Sequence, residues 1–144
     1  YDDANKNNCK IIIPDDCKIG VNFEGDGKNK NLEQIEDKDI ILDIGSETIK
    51  KIKNIINLSK TVLWNGPAGY FENKNFLNGT MCIAEIISKK TSEKTLISVI
   101  GGGDTLAAVN KSKNELSFSH LSTAGGAFLE YLEGKDLPGL SVLK

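Results

Sequence analysis

Short apolar runs alternate with segments of helical periodicity along most of the chain, and this alternation constrains the fold more than any other feature. The apolar runs are rich in β-branched residues, a pattern typical of buried strands. Strands are predicted at Lys10–Pro14, Asp39–Gly45, Thr61–Asn65, Thr95–Ile100 and Phe118–Leu121. Helices are predicted from Ser46 as the N-cap, over Phe76–Lys90, from Asp104 to about Lys111 and from Gly125 to about Leu132. This order predicts an α/β fold with a parallel sheet and right-handed crossovers.

The composition is that of one ordinary globular domain. The chain has 144 residues, of which 39% are apolar and 26% are charged, with a net charge of −2. This charge does not indicate a nucleic-acid surface, and we expect no nucleic-acid partner. All 18 basic residues are lysine. Because the usual bidentate clamp on a phosphate needs arginine, phosphate recognition here would use lysine, backbone amides, helix N-termini or a metal.

The cysteines and the hydropathy indicate a cytoplasmic protein. Cys9, Cys17 and Cys82 are odd in number and lack the paired spacing of a zinc site, so we expect reduced thiols. No apolar run approaches the roughly 20 residues that span a bilayer, and no signal peptide is recognisable. The chain starts at Tyr1 in a polar run, which we interpret as the interior of a longer polypeptide.

Three of the predicted strands lead into unusual loops. These loops are Asn65–Gly69, Gly101–Thr105 and Ser122–Gly126. Because ligands of open parallel sheets bind beyond the carboxyl ends of the strands, we expect the three loops to line one rim. Two of them lead directly into helices, whose first amides are unpaired and attract anions.

Each of these features also has an ordinary structural explanation. Asp104 is placed to be an N-cap, and Ser122 and Thr123 are placed to cap the last helix. Asn65 is also explained as a turn-forming residue, and Glu72 as a solvent-exposed acid. His120 is more typical of packing or hydrogen bonding than of catalysis. The conjunction of three such loops on one rim nevertheless exceeds what folding requires.

The residues around Asp104 indicate a metal-bound nucleotide. The Walker pattern and the dinucleotide pattern G-x-G-x-x-G are both absent, so neither a P-loop NTPase nor a dinucleotide oxidoreductase is favoured. An aspartate beside a phosphate cradle repels the phosphate unless a cation lies between them. Asp104 therefore suggests Mg²⁺ bridging to a nucleotide, since magnesium binds one or two carboxylates together with phosphate oxygens.

The sequence resembles phosphoglycerate kinases over essentially its whole length. TVLWNGPAGYFE, FLNGT, IGGGDTLAAV and FSHLSTAGGAFLEYLEGKDLPGL resemble, in the same order, segments of the C-terminal nucleotide-binding domain of that family. NNCKIIIPDD and DIILDIGSETI resemble its VKIILPVD and LDIGPKT segments. Several long motifs in register are far more specific than one glycine-rich loop. The resemblance implies a three-layer, Rossmann-like parallel sheet with helices on both faces, present as a partial domain over residues 1–144.

The resemblance also implies roles for the rim residues. Asn65 and Glu72 match residues near the nucleotide ribose, with Glu72 accepting hydrogen bonds from its hydroxyls. Pro67, in the same motif, is also expected to bind the nucleotide. The segment that holds the nucleotide phosphates, with its aspartate directed at Mg²⁺, matches Gly102, Gly103, Asp104 and Thr105.

The implied reaction is phosphoryl transfer between ATP and 3-phosphoglycerate, giving ADP and 1,3-bisphosphoglycerate, in glycolysis. Thr123, Gly125 and Gly126 match the loop whose amides face the phosphoryl group in transfer. The N-terminal domain that would bind 3-phosphoglycerate is not in the chain, so we expect the chain alone to be inactive. The resemblance also implies that the parent enzyme is monomeric. A stand-alone nucleotide-binding or assembly module derived from the kinase is the alternative.

Two positions depart from the family pattern. Ala124 stands where members often have glycine, which is tolerable only if its φ is negative. Ile41 stands where some members have a glycine that lines the adenine pocket, and it is expected to narrow that pocket.

The family's strand order raises one further expectation. In the order 3-2-1-4-5-6, Ile11–Ile13 corresponds to strand 3 and Thr61–Asn65 to strand 4. Strands 1 and 2 would precede Tyr1, which leaves strand 3 without a neighbour and strand 4 with an unpaired edge. We therefore expect residues 1–30 to detach or to pair in a way foreign to the family, or a second copy to cover the edge of strand 4.

Overall fold

The computed structural model describes residues 1–143, which form six strands and six α-helices. The strands are β1 (Asp16–Gly20), β2 (Lys28–Asn31), β3 (Ile40–Ile44), β4 (Thr61–Asn65), β5 (Ile97–Gly101) and β6 (His120–Ser122). The α-helices are α1 (Asp2–Lys6), α2 (Ser46–Leu58), α3 (Asn78–Ser92), α4 (Gly103–Val109), α5 (Gly126–Leu132) and α6 (Pro138–Ser141). Short 3-10 turns cover Leu32–Gln34 and Lys74–Phe76. Within residues 1–143, no helix has the length and apolarity needed to cross a membrane.

Residues 46–143 confirm the predicted α/β fold. Strands β4, β5 and β6 form a parallel sheet in that order. The bounds of β4 agree with the prediction residue for residue, and those of β5 and β6 are shifted by one or two residues. A buried apolar core joins α2 and α3 to one face of this sheet; its members are Ile56, Ile83, Ile87, Leu96 and Ile100.

The opposite face of the parallel sheet is only partly covered. Helix α5 begins against it, because a Cβ built on Gly101 would lie 3.4 Å from the ring of Phe128. Helices therefore lie on both faces, as predicted. Farther from that contact, Leu63 and Ile97 stay 41% and 60% exposed on the same face. Strand β4 has no second partner strand among residues 1–143, so its outer edge is unpaired.

Residues 1–45 add no strand to this sheet, which corrects two sequence predictions. Lys10–Pro14 is not a strand, and Ile11 and Ile13 are about half exposed. The strand begins two residues after Pro14, at Asp16, and pairs antiparallel with both β2 and β3. The run at Asp39–Gly45 is a strand as predicted, but it belongs to this antiparallel sheet. An isolated apolar run carries no information about its partner, which is why the pattern misassigned both.

The start of α2 is held by a residue from another strand. Ser46 was predicted to be the N-cap, but the N-cap is Gly45 and makes no side-chain bond. The carboxylate of Asp16 accepts instead from the amide of Thr48 at 2.8 Å and from that of Glu47 at 3.1 Å. The Thr48 hydroxyl also donates to this carboxylate at 2.8 Å. Asp16 therefore supplies, from β1, the cap that Ser46 does not provide.

The electrostatics of Asp16 follow from this cap. Burial by itself would raise the pKa of Asp16, but the hydrogen bonds from Thr48 and Glu47 favour the ionised form and hold the pKa below its ordinary value. Its charge therefore stabilises the fold above the unfolded pKa of about 4. That stabilisation is lost as the pH falls through the lower, folded-state pKa.

We expect Asp16→Ala to lower the free energy of unfolding by about 1–2 kcal/mol, since it removes the cap of α2. The difference from the wild type should shrink as the pH is lowered below 4, because the wild type then loses the same charge. Urea denaturation at pH 7 and pH 3 measures both effects. Asp15→Ala is the matched control, because Asp15 is exposed and its ion pair with Lys51 contributes little. An equal loss in the two variants at pH 7 would contradict the capping role.

Candidate functional site

The three predicted loops lie together at the carboxyl end of the parallel sheet. Asn65, Gly101 and Ser122, the last residues of β4, β5 and β6, are in register across the sheet. The amide of Gly102 donates to the carbonyl of Ser122 at 3.1 Å and so continues the pairing beyond the strands. The structure thus brings all three loops to one rim, as the sequence predicted.

Gly102 is the point at which the loops converge. Its φ is +92°, a conformation that side chains disfavour. A Cβ at Gly102 would lie 2.5 Å from Oδ1 of Asn65, and one at Gly125 would lie 3.3 Å from the Cα of Gly102. A Cβ at Gly103, by contrast, would meet nothing within 4 Å. Gly102 is therefore required by the backbone and its neighbours, whereas Gly103 leaves open space in front of the first turn of α4.

Two buried hydroxyls hold the Asn65–Gly69 loop in place. Oγ1 of Thr105 accepts from the amide of Gly66 at 2.7 Å, and Oγ1 of Thr80 accepts from the amide of Ala68 at 2.9 Å. Both threonines are fully buried. Because the Thr105 hydroxyl is hydrogen-bonded inside the protein, only the backbone amide of Thr105 is left to contact a phosphate. Sequence reasoning missed Thr80, which lies in the quoted FLNGT motif but gives no signal of its own beyond a hydroxyl near a helix start.

Asp104 lies in the first turn of α4, on the rim, and its carboxylate is free. The N-cap of α4 is Gly102 and no side chain caps this helix, so the capping alternative for Asp104 is wrong. The side chain is exposed and makes no hydrogen bond or ion pair with residues 1–143. No cluster of three His, Cys, Asp or Glu side chains lies within the described part of the chain. One free carboxylate beside open space fits a magnesium ion whose remaining ligands are phosphate oxygens and water.

The loop after β6 places Thr123, Gly125 and Gly126 on the same rim. Gly125 is the N-cap of α5 and no side chain caps this helix, so Ser122 and Thr123 do not cap it. The hydroxyl of Ser122 donates to the carbonyl of Ala124 instead, at 3.2 Å. Ala124 is not among the non-glycine residues with positive φ, and its methyl group is therefore tolerated.

A cleft adjoins the rim on the side of the antiparallel sheet. It has a volume of about 430 Å³, and Ile41, Pro67 and Tyr70 are among its mostly apolar lining residues. Ile41 is 57% exposed on its wall. The one carboxyl group in the lining belongs to Asp43, which is buried, accepts from the amide of Gly79 at 2.9 Å, and has a pKa that burial raises. The apolar lining suits a flat, uncharged ring better than a phosphate.

Glu72 and His120 occupy exposed positions. Glu72 follows Tyr70 beyond the cleft, and its carboxylate makes no hydrogen bond within residues 1–143. His120 is exposed on β6, at the edge of the sheet. The position of Glu72 leaves its carboxylate available to a ligand that spans the cleft and the rim.

We expect Thr105→Val to destabilise the fold by about 1–3 kcal/mol, because it leaves the amide of Gly66 without its acceptor. Thr105→Ser keeps the hydroxyl and should cost much less. Urea denaturation gives the two free energies, and hydrogen exchange should show faster exchange of the Gly66 amide in Thr105→Val alone. Equal protection of that amide in the two variants would show that the hydroxyl does not hold the loop.

Comparison with known proteins identifies the family to which this chain is similar. The family model described as phosphoglycerate kinase matches residues 1–135. The phosphoglycerate kinase of Wolbachia pipientis subsp. Culex pipiens (strain wPip) is 50% identical over 139 residues, which are 95% of this chain and 35% of the relative. That of Chelativorans sp. (strain BNC1) is 41% identical over 144 residues, which are 99% of this chain and 36% of the relative. The chain thus spans about a third of the length of the relatives it matches.

Two solved structures are similar to this one. Phosphoglycerate kinase from Coxiella burnetii superposes with a TM-score of 0.86 at 36% identity, over 99% of this chain and 36% of that chain. Phosphoglycerate kinase from Pyrococcus horikoshii superposes with a TM-score of 0.76 at 30% identity, over 90% of this chain and 31% of that chain. Because the first match covers nearly all residues, it includes the antiparallel sheet. The strands within residues 1–30 are therefore arranged as in that relative, and the expectation that residues 1–30 detach or pair in a way foreign to the family is wrong for the part that forms the antiparallel sheet.

Proposed function

The chain belongs to the phosphoglycerate kinase family, and on that premise we propose that it supplies the magnesium–nucleotide side of a phosphoglycerate kinase active site. The reaction would be phosphoryl transfer between ATP and 3-phosphoglycerate, giving ADP and 1,3-bisphosphoglycerate, in cytoplasmic glycolysis and gluconeogenesis. The observation that carries the proposal is the free carboxylate of Asp104 beside the glycine-lined rim. The 3-phosphoglycerate would be bound by parts of the enzyme outside these 144 residues.

The nucleotide would lie across the cleft and the rim. Its base would occupy the apolar cleft at Ile41 and Pro67, where the exposed Ile41 narrows the space. Its ribose would lie toward Asn65 and Glu72, whose free carboxylate can accept from the hydroxyls. Its phosphates would lie in the open space in front of Gly103, where the absence of a side chain permits close approach to the backbone amides.

In this reaction the chain would position the nucleotide and neutralise its charge. Magnesium, when bound, would neutralise the phosphate oxygens so that an anionic acceptor can approach. Asp104 would hold that ion from the first turn of α4. The amides of the Thr123–Gly126 loop would face the phosphoryl group in transfer and stabilise the charge that develops on it. Neither function requires a proton to be moved, which agrees with the absence of a histidine on the rim loops.

We expect Asp104→Ala to lower turnover by about 100-fold or more in the complete polypeptide that carries this chain, because it removes a group that neutralises transition-state charge. The free energy of unfolding should change by less than about 0.5 kcal/mol, since the side chain is exposed and unbonded. A coupled assay with ATP and 3-phosphoglycerate measures turnover, and a magnesium titration should show half-saturation at higher concentration.

Asp2→Ala is the matched control for this experiment. Asp2 is also an exposed aspartate in the first turn of a short helix, so the two variants lose the same charge in similar local structure. Asp2→Ala should leave turnover unchanged. Near-normal turnover and an unchanged magnesium requirement in Asp104→Ala would refute the metal assignment.

A further inference from the structure

Lys111 connects the far end of α4 to the loop that carries Glu72. It lies two residues beyond the last residue of that helix. Its Nζ donates to the carbonyl of Phe71 at 2.9 Å and makes a longer contact of 3.5 Å with the carbonyl of Glu72. The same ammonium group lies 5.1 Å from the centroid of the Phe71 ring. One side chain thus makes three contacts with two consecutive residues.

The other contacts of this loop come from the antiparallel-sheet side. The amide of Tyr70 donates to the carbonyl of Leu42, and the side-chain amide of Asn73 donates to the carbonyl of Phe23 at 2.9 Å. The rings of Phe23 and Tyr70 also pack edge to face, with centroids 5.2 Å apart. Lys111 supplies the side-chain hydrogen bonds from the α4 side. The loop is therefore held from both sides.

The backbone of Glu72 is held while its carboxylate is left free. Lys111 binds the carbonyl groups of the loop and forms no ion pair with the Glu72 carboxylate, which makes no hydrogen bond within residues 1–143. A lysine so close to a glutamate could have paired with its charge. Instead, the contacts fix the backbone from which the Glu72 side chain extends, and they leave the carboxylate oxygens available to a ligand.

Helix α4 connects Asp104, on the rim, to Lys111 and so to the loop that carries Glu72. Asp104 lies in its first turn, and Lys111 lies just past its last residue, on a rigid element about 10 Å long. We infer that Lys111 is a positioning residue for nucleotide binding: it fixes Glu72 to the end of α4, so that the ribose hydroxyls and the phosphates of one nucleotide are bound at the same time. This inference rests on the proposed function, in which Glu72 accepts from the ribose.

The expected effect follows from preorganisation. Without Lys111 the loop must be ordered when the nucleotide binds, which weakens ground-state and transition-state binding alike. Lys111→Met keeps the apolar stem and removes the charge and the donors. It should raise the KM for ATP by about three- to tenfold and leave kcat unchanged. Lys111→Arg restores a cation with donors and should return the KM close to the wild-type value.

The decisive substrate is 2′,3′-dideoxy-ATP, which has no ribose hydroxyls for Glu72 to bind. In the complete polypeptide that carries this chain, the wild type and Lys111→Met should have the same KM for the dideoxy nucleotide but different KM values for ATP. Glu72→Gln should raise the KM for ATP, and adding Lys111→Met to it should have no further effect. Lys113→Met is the control, since Lys113 is a neighbouring exposed lysine with no hydrogen bond or ion pair within residues 1–143.

Three results would overturn the inference. An unchanged KM for ATP in Lys111→Met would show that the contact does not position Glu72. An equal rise for ATP and for the dideoxy nucleotide would show that Lys111 acts on the site as a whole. A wild type with equal KM values for the two nucleotides would show that Glu72 does not bind the ribose hydroxyls. Failure of the proposed function is a separate outcome, because the wild type would then show no phosphoryl transfer between ATP and 3-phosphoglycerate.

Discussion

The close approach of the Asn65 side chain to the backbone of Gly102 is the constraint on which the rim depends. A Cβ at Gly102 would lie 2.5 Å from Oδ1 of Asn65, and the φ of +92° independently disfavours any other residue there. The parallel register of β4, β5 and β6 brings the loop ends to this point. A Cβ at Gly103, the residue before Asp104, would by contrast meet nothing within 4 Å. The glycine run thus has two functions, one steric at Gly102 and one of access at Gly103.

Buried polar groups, rather than surface ion pairs, connect the elements that carry the site. Asp16 caps α2 from β1, and Thr105 and Thr80 accept from the backbone of the Asn65–Gly69 loop from two different helices. Each of these groups is buried and hydrogen-bonded, and no buried side-chain polar atom of residues 1–143 lacks a partner. A buried amide without its acceptor costs more than an exposed pair contributes, so these bonds specify loop positions effectively.

The antiparallel sheet contributes to the same site although it lies outside the parallel one. Its strand β3 supplies Ile41 to the cleft wall, and the carbonyl of Leu42 anchors the loop that leads to Glu72. In the order 2-1-3, the central strand β1 is buried and carries Asp16. The position of the cleft therefore depends on two sheets that meet at the loop after β4.

The sequence by itself determined the element types between Ser46 and Leu132, the three rim loops and the family. Those features depend on local periodicity, on turn chemistry and on motifs that are continuous in the chain, and the parallel direction of the strands follows from their alternation with helices. Only the tertiary structure decided the partner of β1, the cap of α2 and the hydroxyls that hold the rim. Asp16 and Thr48 are 32 residues apart, and Thr105 and Gly66 are 39 apart. A local sequence pattern cannot predict a hydrogen bond between residues so far apart in the chain. It shows that Ser46 could cap a helix, but only the packed chain shows that a buried carboxylate from another strand has taken its place.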